Sequence, residues 1–372
     1  MSNLEALLRK QSAIVDHEED FEKINQLFYE RGWGDGLPVV PPTVPRVERM
    51  LEYCDRPWHE PIAKIAPRYG EATPLRLAAN AVMAGCRPEY FPLVMLAIEA
   101  MCEESFNLYA VQATTHSCAP LVVVNGPVAQ ELNIHSGHAA FGPGAWSNAT
   151  IGRAIRLALI NIGGAVPGNG DMATYGSPAK FSYCAAENEA ASPWEPLHVE
   201  RGYAADTSTV TVFSAEGPHN VNDHESTNAE GLLKTIAGTV ATTGSNNVRN
   251  AQSDPVILVG PEHAATIAAD GYSKRDVKRY LFEQARIPIN RFAAENIERR
   301  IAVKIRAESP ESGVYIPAAR SADDFILVVI GGAGKHSAFI PTFGHGRSVT
   351  RPLRTNDGLL AKSVQEFRRN SQ

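Results

Sequence analysis

Three short runs of unbroken apolar residues constrain this chain more than any other feature: Val122-Val123-Val124, Val256-Ile257-Leu258-Val259 and Phe325 to Ile330, each followed within two residues by glycine. A strand with one face in water alternates apolar and polar residues, whereas a run that is apolar at every position belongs to a strand covered on both faces. Strands of that kind with helical patterns between them predict an α/β fold, a parallel or mixed sheet flanked by helices. The first two runs continue into Gly126-Pro127 and Gly260-Pro261 and then into alanine-containing helical patterns, so they read as two βα units. Buried strands followed by Gly-Pro turns arise readily in α/β proteins, and the echo is not expected to mark a duplication.

A length of 372 residues exceeds what a single core usually holds. The expected division is a helical arm over 1–31, an α/β core with polar substrate loops over 32–250 and a second α/β lobe over 251–372. Leu4, Leu7, Leu8, Phe21, Ile24, Leu27 and Phe28 supply the arm's helical spacing and make self-association into a homo-oligomer plausible. A short helix is predicted through Val47, Met50 and Leu51, and two more between Pro74 and Glu104, separated by Arg87-Pro88. Another is predicted over 148–162, capped by Ser147 or Asn148, with Ile151, Ile155, Leu159 and Ile162 on one face and Gly163-Gly164 as its stop.

The charge balance of 35 Lys and Arg against 41 Asp and Glu argues against a nucleic-acid binder. No run of 18 apolar residues suggests a membrane span, and the acidic start does not resemble a signal peptide, so a cytoplasmic location is expected. Five widely spaced cysteines without a CxxC pair are expected to be reduced thiols.

Candidate chemistry gathers at several places. In an extended segment His116 and Cys118 share a face, where an imidazole can activate a thiol or join it as a metal ligand; an inert buried Cys is the plain alternative. With His135 and His138 they form an HxC…HxxH array that a divalent metal, zinc or iron, could use. Glu216 to His224 follows an alternating strand from Thr209 to Phe213, and offers Glu216, His219 and His224 as acid, base or ligand, with Glu216 orienting one of the two imidazoles. Between these lies a Gly/Pro-punctuated tract whose Asp171, Lys180, Glu187 and Asn188 are candidate substrate contacts, or else part of an interface. The segment Gly142 to Asn148 opens a helix, so Asn148 marks a candidate anion clamp. Gly331-Gly332-Ala333-Gly334-Lys335 matches neither a P-loop nor GxGxxG, so no nucleotide cofactor is expected and Lys335 remains a candidate anion contact.

At Gly34-Asp35-Gly36-Leu37-Pro38-Val39-Val40-Pro41-Pro42-Thr43 and at Ala84-Gly85-Cys86-Arg87-Pro88-Glu89-Tyr90 the chain resembles an uncharacterised bacterial family associated with UGSC-type selenoprotein or thioredoxin-like domains. The resemblance implies a possible thioredoxin-like partner domain and raises the expectation of a thiol or metal site. The U-G-S-C motif itself is absent, and no redox role carries over to a particular residue. The leading expectation is an enzyme that acts on a small polar, anionic substrate by metal- or acid/base-assisted lyase, hydratase or hydrolytic chemistry. The alternatives are a thiol-dependent oxidoreductase centred on Cys118, with Cys86 or Cys184 brought near, and a non-catalytic subunit of a larger enzyme.

Overall fold

The computed structural model describes Glu5 and residues 20–250, 253–301 and 315–369. Of the predicted arm, Phe21–Glu30 forms helix α1, capped by Asp20, whose carboxylate accepts the amides of Glu22 and Lys23. Leu4, Leu7 and Leu8 lie outside the described residues. Helix α2 (Val44–Leu51) buries Val47, Met50 and Leu51, the residues whose spacing predicts it. The pattern around Arg87-Pro88 resolves into α3 (Pro74–Ala84) and α4 (Phe91–Met101).

The fold is α/β, and among the described residues two four-stranded mixed sheets form its centre, beside three two-stranded ones. In chain order the strands of the two larger sheets are β1 (Ala119–Asn125), β2 (Cys184–Ala186), β3 (Thr209–Ala215), β4 (His219–Asn222), β5 (Val256–Val259), β6 (Ile326–Val329), β7 (His336–Ile340) and β8 (Val349–Pro352). The first sheet runs β2-β1-β3-β8 and the second β6-β5-β7-β4. In the first, β1 and β2 are parallel and the other pairs antiparallel; in the second, β5 and β6 are parallel and the other pairs antiparallel. The two sheets therefore have the same order and sense. Matched by face, Val122 with its partners Cys184 and Val212 corresponds to Ile257 with its partners Leu327 and Phe339, all six packed against helices.

The two halves share this strand topology, while residues aligned by the Gly-Pro echo face opposite ways: Val122 and Val124 pack against helices, Val256 and Leu258 against the other sheet. Each half contributes three consecutive strands to its own sheet and sends the fourth across: β4 follows β3 but pairs with β7, and β8 follows β7 but pairs with β3. Both sheets are thus drawn from both sides of residue 250.

Side-chain alternation explains why the strand cores are apolar at every position. Val122, Val124, Val210 and Val212 point to one side and pack with α3, α4 and α5 (Trp146–Asn161). Ile257, Val259, Leu327 and Phe339 pack with α6 (Ala229–Val240), α7 (Pro261–Ala269) and α8 (Lys274–Gln284). The alternate residues Leu121, Val123, Phe213, Leu258, Val328 and Ile340 meet one another between the sheets. The order of layers is helices, sheet, sheet, helices.

Helix α5 begins two residues earlier than its pattern suggests, because Ser147 and Asn148 are buried inside it and Ala145 holds the cap position. It ends where Gly164 adopts φ 74°, at a point where a Cβ would lie 2.4 Å from Arg68 Cδ. Arg153 on this helix grips the Gly34-Asp35-Gly36 turn: its Nε and Nη2 lie 2.8 and 2.9 Å from the Asp35 carboxylate. Burial pushes the Asp35 carboxyl up, but the Arg153 hydrogen bonds and charge outweigh it, and the group sits below its ordinary value.

Two outcomes test this scaffold. Leu121→Ala should destabilise the protein by about 2–5 kcal/mol, read as a lower urea midpoint, because Leu121 is fully buried between the sheets. The stability that the lowered Asp35 carboxyl contributes should be fully present above the unfolded value near 4 and be lost as pH falls through the folded value, so Asp35→Asn should flatten the acid limb of a stability–pH curve.

Candidate active site

The junction of the two halves brings together residues that are distant in sequence. Beyond the ends of β3 and β7 the chain segments cross as an antiparallel bridge, Ala215 to Thr342, with the Phe343 amide donating to Ser214 O at 2.8 Å and the Glu216 amide to Pro341 O at 2.8 Å. This crossing sets Glu216 against His116, which lies just before β1, the neighbour of β3. His116 Nε2 is 2.6 Å from Glu216 Oε1. The imidazole stacks on the Phe343 ring at a centroid separation of 6.1 Å, and Tyr183 Oη donates to Glu216 O at 3.0 Å. The side chains of His116 and Glu216 are 14% and 28% exposed, so Glu216 is the outer member. With Nε2 bound to the carboxylate, His116 Nδ1 has no hydrogen-bond partner and is shielded from solvent.

Next to this pair lies a cationic cavity. Asp171 accepts Lys180 Nζ at 2.8 Å on both oxygens and Arg156 Nη2 at 2.6 Å on one. Two cations face the Asp171 carboxylate, and Asp35, the other acid in the lining, is taken up by Arg153, which leaves one positive charge in excess. Burial raises the Asp171 carboxyl, but Lys180 and Arg156 lower it further, so the net shift is down. All three residues line a cavity of about 590 Å³ together with Gly34, Asp35, Tyr175 and Phe181. Its wall is fastened to the His116 segment by Thr174, whose amide and hydroxyl both donate to Thr115 O, at 2.9 and 3.1 Å. Cys118, two residues on from His116, is within electrostatic reach of Lys180, Glu216 and Asp171.

Cys118 is not placed as a nucleophile or metal ligand. Burial pushes its thiol up to about 12, and Sγ donates to Val111 O at 3.8 Å. Burial raises Cys86 and Cys184 to about 12 as well. The HxC…HxxH array also does not converge. His135 Nε2 bonds to His138 O at 2.7 Å, and the exposed His138 ring packs on Gly332, where a Cβ would lie 2.2 Å away. Among the described residues no group of three or more His, Cys, Asp or Glu side chains is arranged to hold a metal ion.

Glu216 orients neither His219 nor His224. His219 is exposed on β4 opposite Phe339, and His224 pairs with His336, Nε2 to Nε2 at 3.2 Å. Lys335 Nζ donates to His224 O at 2.8 Å and so helps close that surface turn.

Asn148 does not clamp an anion: its side chain accepts the His135 amide and donates to His135 O and Ala140 O, bracing the loop before α5. Asn188 bridges the sheets, with its amide on Val329 O at 2.7 Å and Nδ2 on Gly331 O at 3.0 Å. Glu187, beyond the end of β2, is buried; Oε2 accepts Asn125 Nδ2 at 2.6 Å and the Leu197 amide at 2.8 Å, and burial raises its carboxyl. Sequence reading nominates His116, Glu216, Asp171 and Lys180 separately but misses Arg156, Tyr183 and Phe343. Arg156 carries the one usable signal, a cation adjoining the apolar stripe of a helix otherwise predicted to be buried.

No protein-family model, curated protein or solved structure matches the chain. The resemblance of segments 34–43 and 84–90 therefore assigns none of these residues a role.

The thiols give a direct check. Iodoacetamide at pH 8 should leave Cys118 and Cys184 unmodified in the native protein and alkylate both after denaturation, read by peptide mass mapping.

Proposed function

We propose that the protein is an enzyme of acid–base type acting on a small anionic substrate, with Glu216 as the group that gives and takes the proton. The observation that carries this reading is the 2.6 Å contact between His116 Nε2 and Glu216 Oε1, His116 being one residue from Thr115, which holds Thr174 in the wall of the cavity containing Lys180 and Arg156. Glu216 is the more exposed member and is the one able to meet substrate. His116 acts as a positioning residue: fixed by stacking on Phe343, it holds the carboxylate in one orientation and shares its proton. Lys180 and Arg156 have one charge beyond what Asp171 neutralises, which suits a carboxylate or phosphate on the substrate. Proton transfer next to such an anion is the chemistry of lyases and hydratases. The acid–base form is preferred to a metal-assisted one because the nominated donors are dispersed, and to a thiol-dependent one because Cys118 is held neutral.

The test begins with a panel of small carboxylates and phosphate esters screened for thermal stabilisation of the wild type and of Lys180→Ala. A true substrate should stabilise the first and lose most of that effect in the second. It should then show solvent-deuterium exchange, or gain or loss of water, by proton NMR in D2O. Glu216→Gln should slow that reaction by about 10²–10⁴-fold, while His116→Gln should slow it less and move its pH profile. Exchange that proceeds at the wild-type rate in Glu216→Gln would remove the assignment.

A further inference from the structure

Three segments that the sequence marks out, and that the acid–base reading leaves unused, meet at one place. The Pro-rich stretch after Gly36 is tied to the end of α3 by the Val40 amide, which donates to Met83 O at 3.1 Å. The Gly85-Cys86-Arg87-Pro88 turn lies beside it, with Gly85 in the left-handed region at φ 84°. The Gly-rich entry to α5 delivers Trp146, whose Nε1 donates to Gly85 O at 2.7 Å. That bond fixes the indole, yet the residue is 55% exposed. Arg87 lies over its ring, 4.5 Å from the centroid.

These segments and α2 enclose a cavity of about 360 Å³. Its floor is apolar, formed in part by the buried Met50 and Val82. Its charged lining consists of Arg46, Arg49 and Arg87, and no Asp or Glu lines it. Glu48 and Glu52 line a different cavity, shared with Arg46 and Arg49, and Glu89 lies outside both. Arg46 donates to Pro41 O at 2.9 Å, a neutral acceptor that leaves its charge in place. No ion pair joins any of the three arginines to a carboxylate among the described residues.

Three guanidinium groups around an apolar floor, with an immobilised indole at the rim, match an organic anion that has an apolar body and an oxyanion head. We infer that this cavity is a binding site for such a ligand, an aryl or alkyl compound bearing a carboxylate or a phosphate. The site is separate from the Lys180–Arg156 cavity and does not depend on the acid–base reading.

Trp146 provides the readout. The full-length protein is titrated with benzoate and with phenyl phosphate while tryptophan fluorescence is followed, and the same titrations are run on Trp146→Phe, the double variant Arg49→Gln/Arg87→Gln, and Lys180→Ala. Trp146, Arg49 and Arg87 are exposed, so folding should survive their substitution; all variants, including Lys180→Ala at a side chain only 11% exposed, are first checked for an unchanged thermal unfolding curve. The expected result is a saturable change in the wild type with at least one probe, absent in Trp146→Phe. Its midpoint should rise about tenfold or more in the double variant, the scale of one lost charge-assisted contact, and stay unchanged in Lys180→Ala. Which probe saturates at lower concentration distinguishes a carboxylate from a phosphate head. No saturable change with either probe, an unaltered midpoint in the double variant, or a signal abolished by Lys180→Ala would each overturn the assignment.

Discussion

The apolar seam between the two sheets is the constraint on which the rest of the molecule depends. Leu121 and Val123 of one half meet Leu258 and Val328 of the other across it, and the opposite faces of the same strands are covered by helices. Neither sheet can be left without its partner, because each would expose a full face of branched aliphatic side chains to water. The exchange of β4 and β8 reinforces this dependence. Each sheet obtains its last strand from the other half, so the halves are joined by backbone hydrogen bonds as well as by packing.

The seam also decides where chemistry can occur. Strands covered on both faces leave side chains free only at their ends, and the ends that come together are those of β3 and β7. There the chain leaves the sheet, backbone amides are taken up by the crossing segment, and Glu216 emerges beside His116. The cationic cavity lies on the same side because α5, which carries Arg156, packs against the first sheet and the 171–181 loop closes over it.

Much of the fold is legible from residue patterns, and what is not legible has a physical cause. Runs such as Val122 to Val124 announce doubly covered strands, since only burial on both faces permits apolar residues at consecutive positions. The periodicity of Val47, Met50 and Leu51 and the break at Arg87-Pro88 place helices by the same logic. Strand exchange leaves no such trace: β4 reads His219-Asn220-Val221-Asn222, with only Val221 buried, and nothing local says which sheet it joins. The candidate site divides in the same way. His116 and Glu216 each attract attention through their neighbours, but their pairing spans 100 residues and depends on the crossing at Ala215 and Thr342. The Glu216-to-His224 loop, dense in polar groups, suggests internal partnerships that the strand over His219–Asn222 prevents by pulling its residues into the second sheet.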